Sequence, residues 1–258
     1  MSSCFPDETN PDADEWFEEW FNTDFYRKLY AHRDLEEAEA CIDLILRSVA
    51  LPTAVDAPTA LDLACGPGRH AIAMAWRGLD VTAVDLAENL LAHARAEAAR
   101  ANVTVTFLRY DMREIPFVDQ FDLAVQLFTS FGYFESDDED LRVLGNVRRA
   151  LHPGGSYALD LINLAHLRAS IVPRSERELD GVRIIEEREI AGRRVIKKIT
   201  VESGGERRGF MESVRLYSPE EIARLLETAG FTPVHWFGDY HGADFEPESS
   251  KRMLVISR

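Results

Sequence analysis

The chain has 258 residues, 46% of them hydrophobic, enough for one sizeable α/β domain with an insertion, and its 45 acidic against 29 basic residues leave a formal charge of −16. Such acidity argues against a nucleic-acid backbone or an anionic membrane surface as the main partner, because both need a basic face. Cys4, Cys41 and Cys65 are too few and too widely spaced for a disulfide framework or a zinc cluster. No apolar run nears the roughly 18 residues of a membrane span, and the N-terminus is acidic where a signal peptide is basic, so a cytoplasmic protein without an anchor is expected.

Residues 13–33 place Trp16, Phe17, Trp20, Phe21, Phe25 and Tyr26 at helical spacings, and 35–50 repeat the pattern with Ala38, Cys41, Ile42, Leu44, Ile45 and Val49. Two amphipathic helices are therefore expected before the first strand. Pro52 and Pro58 break the pattern. Strand-like runs at Ala60–Cys65, Val81–Asp85, Val103–Arg109, Phe121–Phe128 and Tyr157–Ile162 then alternate with helical stretches near 69–77, 87–101 and 137–151. That alternation predicts right-handed βαβ units and a parallel sheet covered on both faces.

Past residue 173 the segments VRIIEEREI, RRVIKKITVES and RRGFMESVRLY alternate in polarity and are punctuated by Ala191-Gly192 and Gly204-Gly205, which reads as antiparallel hairpins. Ser218-Pro219-Glu220-Glu221 opens a further helix, with Ser218 as N-cap and Pro219 at its first position, and Gly230 ends it. Thr232–Phe237 and Arg252–Ser257 close the chain, joined by a loop short enough that the last strand should return antiparallel. The expected organisation is a helical lid over 1–54, a main domain of 55–173 and 217–258 built on a seven-stranded, mostly parallel sheet, and a β insertion over 174–216.

The first strand runs into LDLACGPGRH. Taken alone, Gly66-Pro67-Gly68-Arg69-His70-Ala71 fits the dinucleotide fingerprint of a nicotinamide oxidoreductase. Four features weigh against that reading. Asp62 stands four residues before Gly66, where a dinucleotide turn asks for no carboxylate. Asp85 ends the second strand, placed to accept from both hydroxyls of a ribose, which suits either kind of cofactor. Asp111 follows the third strand, placed to accept from an adenine amino group. Finally, the sheet closes with a helix, a glycine and two strands instead of a second βαβαβ half.

Together D-L-A-C-G-P-G-R (62–69), VTAVDLAENLL (81–91), RYDMREIPF (109–117), FDLAVQLFTSFGYF (121–134) and ALHPGGSYALDL (150–161) resemble the class I S-adenosylmethionine-dependent methyltransferases, over roughly residues 55–258. The aromatic N-terminal segment, the FTSFGYF run and the β insertion extend the likeness to bacterial small-molecule methyltransferases. One departure is Ala64, where many members have their first glycine. The resemblance implies a Rossmann-like fold and an S-adenosylmethionine site. Ala64 and Gly66 would lie along the methionine part, Asp62 and the backbone of Leu127 would meet the ammonium, and Asp85 would hold the ribose. Leu86, Asp111 and Met112 would contact the adenine. Tyr26 and Tyr30 would add cofactor contacts from the lid, or serve only as core.

Ligands of open α/β sheets bind at the carboxyl ends of the strands. Several loops converge there and offer Tyr133, Arg215, Tyr217, Tyr240 and His241 as acceptor contacts, with His32 from the lid. Tyr133 and His241 are the candidate catalytic residues, His241 as a general base because imidazole titrates near neutrality, or else as a loop residue packed on Trp236 or Tyr240. The run ESDDED (135–140) suits the positive end of the helix it precedes better than a metal ion. The expected activity is N- or O-methylation of a small molecule, with the β insertion as substrate wall and as an association surface between two copies. RNA or protein methylation, nicotinamide redox chemistry and a non-catalytic cofactor-binding module are the alternatives.

Overall fold

The computed structural model describes residues 15–30, 35–53 and 57–258. Among these, helices α1 (Trp16–Phe21), α2 (Asp24–Leu29) and α3 (Leu35–Ser48) precede β1 (Thr59–Leu63). Then α4 (Arg69–Trp76), β2 (Asp80–Asp85), α5 (Glu88–Arg100), β3 (Thr106–Arg109), β4 (Phe121–Gln126), α6 (Asp137–Ala150) and β5 (Leu151–Ile162) follow in chain order. After α7 (Leu164–Ser170) come four antiparallel strands, β6 (Arg174–Leu179), β7 (Val182–Ala191), β8 (Arg194–Ser203) and β9 (Glu206–Arg215). Helix α8 (Pro219–Thr228) leads to β10 (Pro233–Phe237) and β11 (Arg252–Ser257).

The main sheet has the order β10-β11-β5-β4-β1-β2-β3. Strands β1 to β5 are mutually parallel, and β11 lies antiparallel between β5 and β10. The expected Rossmann-like sheet with an antiparallel last strand is what the chain forms. Strand order reverses where β1 lies between β2 and β4, which opens a crevice at their carboxyl ends. Successive residues of β1 feed two cores: Leu61 and Leu63 point to the side of α1, α6 and α8, Ala60 to the side of α3, α4 and α5. A strand buried on both faces has no polar face to show, which is why this run reads as nearly continuous apolar sequence.

The N-terminal helices divide between two tasks. Helices α1 and α2 lie against the insertion and over the crevice, whereas α3 buries Cys41, Ile42 and Ile45 against α4, tied by Arg77 Nη2 donating to Asp43 Oδ2 at 2.8 Å. Helix α3 is thus a layer of the main domain and no part of a lid. His32 lies outside the described residues. No helix among the described residues is long and apolar enough to cross a membrane.

The insertion forms its own sheet in the order β6-β7-β8-β9. Its outer strand β6, joined to β7 by the turn Asp180-Gly181 with both residues at positive φ, carries Arg174, Glu176, Arg177 and Glu178. Charge at an exposed edge deters strand addition. In α6 and α8 both capping boxes form, Ser136 with Glu139 and Ser218 with Glu221. In the acidic first turn of α6, Glu139 pairs with Arg113, Asp137 with Arg215, and Asp140 accepts from the Tyr217 hydroxyl.

Candidate active site

At the end of β1 the chain turns through Ala64 (φ 55°), Gly66 (φ 55°) and Gly68 (φ 80°) into α4. The two glycines are there for different reasons. A Cβ on Gly68 would sit 2.9 Å from Ala94 Cβ, so that glycine lets α4 and α5 approach. A Cβ on Gly66 would meet no protein atom within 4 Å and would project into a cavity, leaving backbone exposed to whatever fills it. That cavity encloses about 880 Å³ out to its open mouth, and Ala64, Gly66, Asp85, Leu86, Asp111, Met112 and Leu127 all line it.

Asp85, at the end of β2, organises the turn: its Oδ2 accepts from Gly66 N at 2.8 Å and its Oδ1 from Ala87 N at 2.8 Å. Burial pushes its carboxyl above the usual range, and the backbone donors of Ala87, Gly66 and Leu86 pull it back only in part. Asp62 lies deeper. It is 1% exposed, its Oδ2 has no hydrogen-bond partner, and burial with the nearby charge of Asp85 pushes its carboxyl up to about 8. It does not line the cavity; it stands behind the glycine turn, accepting from Ala71 N. Two buried, under-neutralised carboxyls behind one cavity suit a ligand that brings positive charge.

Asp111 is placed as expected but is differently engaged. Its carboxylate caps the short 3-10 turn Met112–Glu114 by accepting from Arg113 N, and it takes Arg113 Nη2 at 2.6 Å. Arg113 also pairs with Glu15 and Glu139, so Asp111 reaches the cavity already bound to a cation. Ser130 Oγ donates to the Leu127 carbonyl, one of whose lone pairs remains.

Two further residues at the end of β4, Phe128 (φ 58°) and Thr129 (φ 64°), hold left-handed backbone without being glycine. Asp160 of β5 enforces this: its Oδ2 accepts from Phe128 N at 2.9 Å, and Arg252 bridges its carboxylate to Thr129 Oγ1 at 2.7 Å. Tyr240 completes the clamp by donating to Asp160 Oδ2 at 2.8 Å. Strain of this kind persists where surroundings over-determine it. It aims the Phe128 ring at the boundary between the first cavity and a second one.

The second cavity shares Phe21, Tyr26, Phe128 and Tyr133 with the first. Its far wall is the inner face of the insertion, where register sets Arg188 beside Lys197 and Lys197 beside Glu212 across β7, β8 and β9. Glu212 is the anchor of that wall. It accepts from Trp20 Nε1 at 2.8 Å, Tyr30 Oη at 2.7 Å and Lys197 Nζ at 2.7 Å. Burial raises its carboxyl, but Lys197 and the hydrogen bonds outweigh burial and hold it below the usual range. Tyr133 packs edge-on to Trp16 at 5.2 Å and lines both cavities.

Some expected residues are elsewhere. Tyr26 lines the first cavity; Tyr30 does not, being held at Glu212 in the second. The side chain of His241 is exposed on a loop pinned by Asp239, and it lines a separate depression on the far side of Phe128. Tyr240 and Tyr217 are buried in the Asp160 and Asp140 hydrogen bonds, and Arg215 pairs with Asp137. Lys197, Arg188 and Glu212, by contrast, line the second cavity although no local motif marks them. The two hairpin turns, counted outward, do align them.

Comparison with known proteins agrees with this fold. Residues 60–155 match a family model described as a methyltransferase domain. The chain is 27% identical over 209 residues to the cypemycin N-terminal methyltransferase of Streptomyces sp, covering 79% of this chain and 84% of that protein. It is 29% identical over 141 residues to a dTDP-3-amino-3,4,6-trideoxy-alpha-D-glucopyranose N,N-dimethyltransferase of Streptomyces venezuelae, covering 54% and 56%. The solved S-adenosylmethionine-dependent methyltransferase of Clostridium acetobutylicum superposes with a TM-score of 0.75 over 91% of this chain and 96% of that one, at 18% identity. Residues 60–155 are thus a methyltransferase domain, and the glycine turn, buried carboxylates and strand order accompany a similarity of the whole chain to methyltransferases.

Proposed function

We propose that the chain methylates an amino group of a small amphipathic molecule, with S-adenosylmethionine in the first cavity and the acceptor in the second. The observation that carries this reading is the pair of cavities meeting at Phe21, Tyr26, Phe128 and Tyr133. An amine is favoured over an oxygen acceptor because the two relatives above are named for methylation at nitrogen.

The residues of the first cavity fit the cofactor. The open side of Gly66 admits it close to the backbone, the Asp85 carboxylate keeps acceptor capacity beyond its two backbone donors, and Asp62 and Asp85 favour a cationic ligand. Leu86, Tyr110 and Met112 supply flat apolar flanks for a base, with Asp111 at its edge. When bound, the cofactor would supply an electrophilic methyl group on a sulfonium, with the neutral thioether as its leaving group. The chain's part is to orient the acceptor nitrogen and exclude water, for which the aromatic boundary of Tyr133, Phe21 and Phe128 is suited. Tyr133 stands at that boundary as the candidate to orient the amine; an uncharged amine has a free lone pair and requires no base there.

Incubating the protein with labelled S-adenosylmethionine and a panel of small amines tests the reading, alongside thermal shifts with S-adenosylhomocysteine and with NAD(H). Stabilisation by S-adenosylhomocysteine and label transfer to an amine are expected. Stabilisation by NAD(H) alone, or transfer only to RNA or protein, overturns it.

A further inference from the structure

The inner face of the insertion carries more than a wall requires. Arg188, Lys197 and Glu212 stand in one row across three strands, at positions fixed by the registers Arg188↔Lys197 and Lys197↔Glu212. Glu186, two residues before Arg188, shares its face and is 4% exposed. It takes Arg188 at 2.7 Å, Arg177 at 3.1 Å and Lys197 at 3.7 Å. On this face three half-buried cations, Arg188 and Lys197 in the cavity wall and Arg177 beyond it, face two carboxylates, Glu186 and Glu212. Glu176, further out, is paired with Arg183 and Arg174. Arg252, on the other side of the cavity, is matched by Asp160. Among the described residues one positive charge is left over, on a molecule whose formal charge is −16.

A half-buried cluster with one surplus positive charge, at the wall of a largely apolar cavity, favours an anion that joins it. The rest of the lining is aromatic and aliphatic, from Trp16, Tyr133, Val195 and Val214. We infer that the second cavity binds its acceptor through an oxyanion, a carboxylate or a phosphate on an apolar body, held by Arg188 and Lys197 on β7 and β8. The amine to be methylated then lies at the opposite, Tyr133 end. The acceptor is an amine that also carries an acidic group. This deepens, and rests on, the proposed methylation of a small amine.

Phenylacetate, phenyl phosphate and phenethylamine titrated into the protein saturated with S-adenosylhomocysteine separate the possibilities, read by calorimetry. Phenylacetate or phenyl phosphate should bind, the tighter of the two naming the oxyanion, and phenethylamine should bind at least tenfold more weakly. Arg188→Gln and Lys197→Gln should each weaken the bound anion at least tenfold. Lys198→Gln, one residue along and paired with Glu189 outside the row, should leave it unchanged. Undiminished S-adenosylhomocysteine binding certifies that each variant is folded; should Arg188→Gln fail that check, Arg188→Lys takes its place. Equal or tighter binding of phenethylamine, no binding of either anion at 20 mM (a limit of about 2 kcal/mol in affinity), or unchanged anion binding in both variants overturns the oxyanion site while leaving the methyltransferase reading standing. Failure to bind S-adenosylhomocysteine overturns that reading and the inference with it.

Discussion

Asp62→Asn should make the protein more stable, and increasingly so as the pH rises. In the unfolded chain this carboxyl ionises near 3.8, whereas in the folded protein burial and the charge of Asp85 hold its proton to about 8. Below pH 3.8 both states are protonated and the group adds no pH dependence. Between the two values unfolding releases a proton, so stability falls as pH rises, by about 1.4 kcal/mol per unit, and above 8 the loss is complete. Over the whole window this amounts to on the order of 5 kcal/mol. Asparagine does not titrate, keeps an oxygen for Ala71 N, and fits the same space. The variant should therefore gain on the parent by roughly 4 kcal/mol between pH 5 and pH 8, from three units of the window. Urea unfolding followed by tryptophan fluorescence at pH 5, 6.5 and 8 measures the difference. Parallel stability profiles for the two proteins would refute the reasoning, showing Asp62 to be ionised in the fold.

Asp85→Asn should weaken S-adenosylhomocysteine roughly 10²-fold, because an amide cannot accept from Gly66 N and Ala87 N at once and loses the charge that strengthens bonds to ribose hydroxyls; calorimetry reads it, and an unchanged Kd rules out the ribose role. With an acceptor in hand, His241→Ala should change kcat less than threefold, since its exposed side chain lies off both cavities; a 10²-fold loss in a pH–rate profile would restore it as a base. Tyr240→Phe should cost about 1.5–3 kcal/mol of unfolding free energy by removing a hydrogen bond to the buried Asp160, the partner of Arg252; an unshifted urea midpoint counts against the clamp on Phe128.

Much of the sheet was legible because β1, β2, β4 and β5 are buried on both faces and separated by helices with clear starts, so apolar runs and caps mark them without tertiary knowledge. Strand β6 escaped notice: four of the six residues in its sequence RSEREL are charged, as an edge strand's can be, and it carries no apolar alternation. Helix α3 read as lid because amphipathicity tells that a face is buried and not against what. Ala64, Gly66 and Asp85 were readable since a tight turn beside a strand end restricts residue type locally. Asp111 was half readable; its position follows from the strand, but its engagement by Arg113 depends on a side chain folding back. The oxyanion row was hidden for a different reason. Its residues are ordinary charges on a β ribbon, and the partners that bury Glu212, Trp20 and Tyr30, lie 192 and 182 residues away in sequence.

That last contact has a consequence for exchanging specificity between related enzymes. Glu212 belongs to the insertion, yet two of the three side chains donating to it come from α1 and the end of α2, and only Lys197 travels with it. Grafting residues 174–216 alone onto another scaffold would transplant a buried anion stripped of most of its donors, and the recipient would lose both its wall and the helices that should rest on it. The transferable module is discontinuous: the aromatic N-terminal helices and the hairpins form one heritable unit, and variation in either has to be matched in the other.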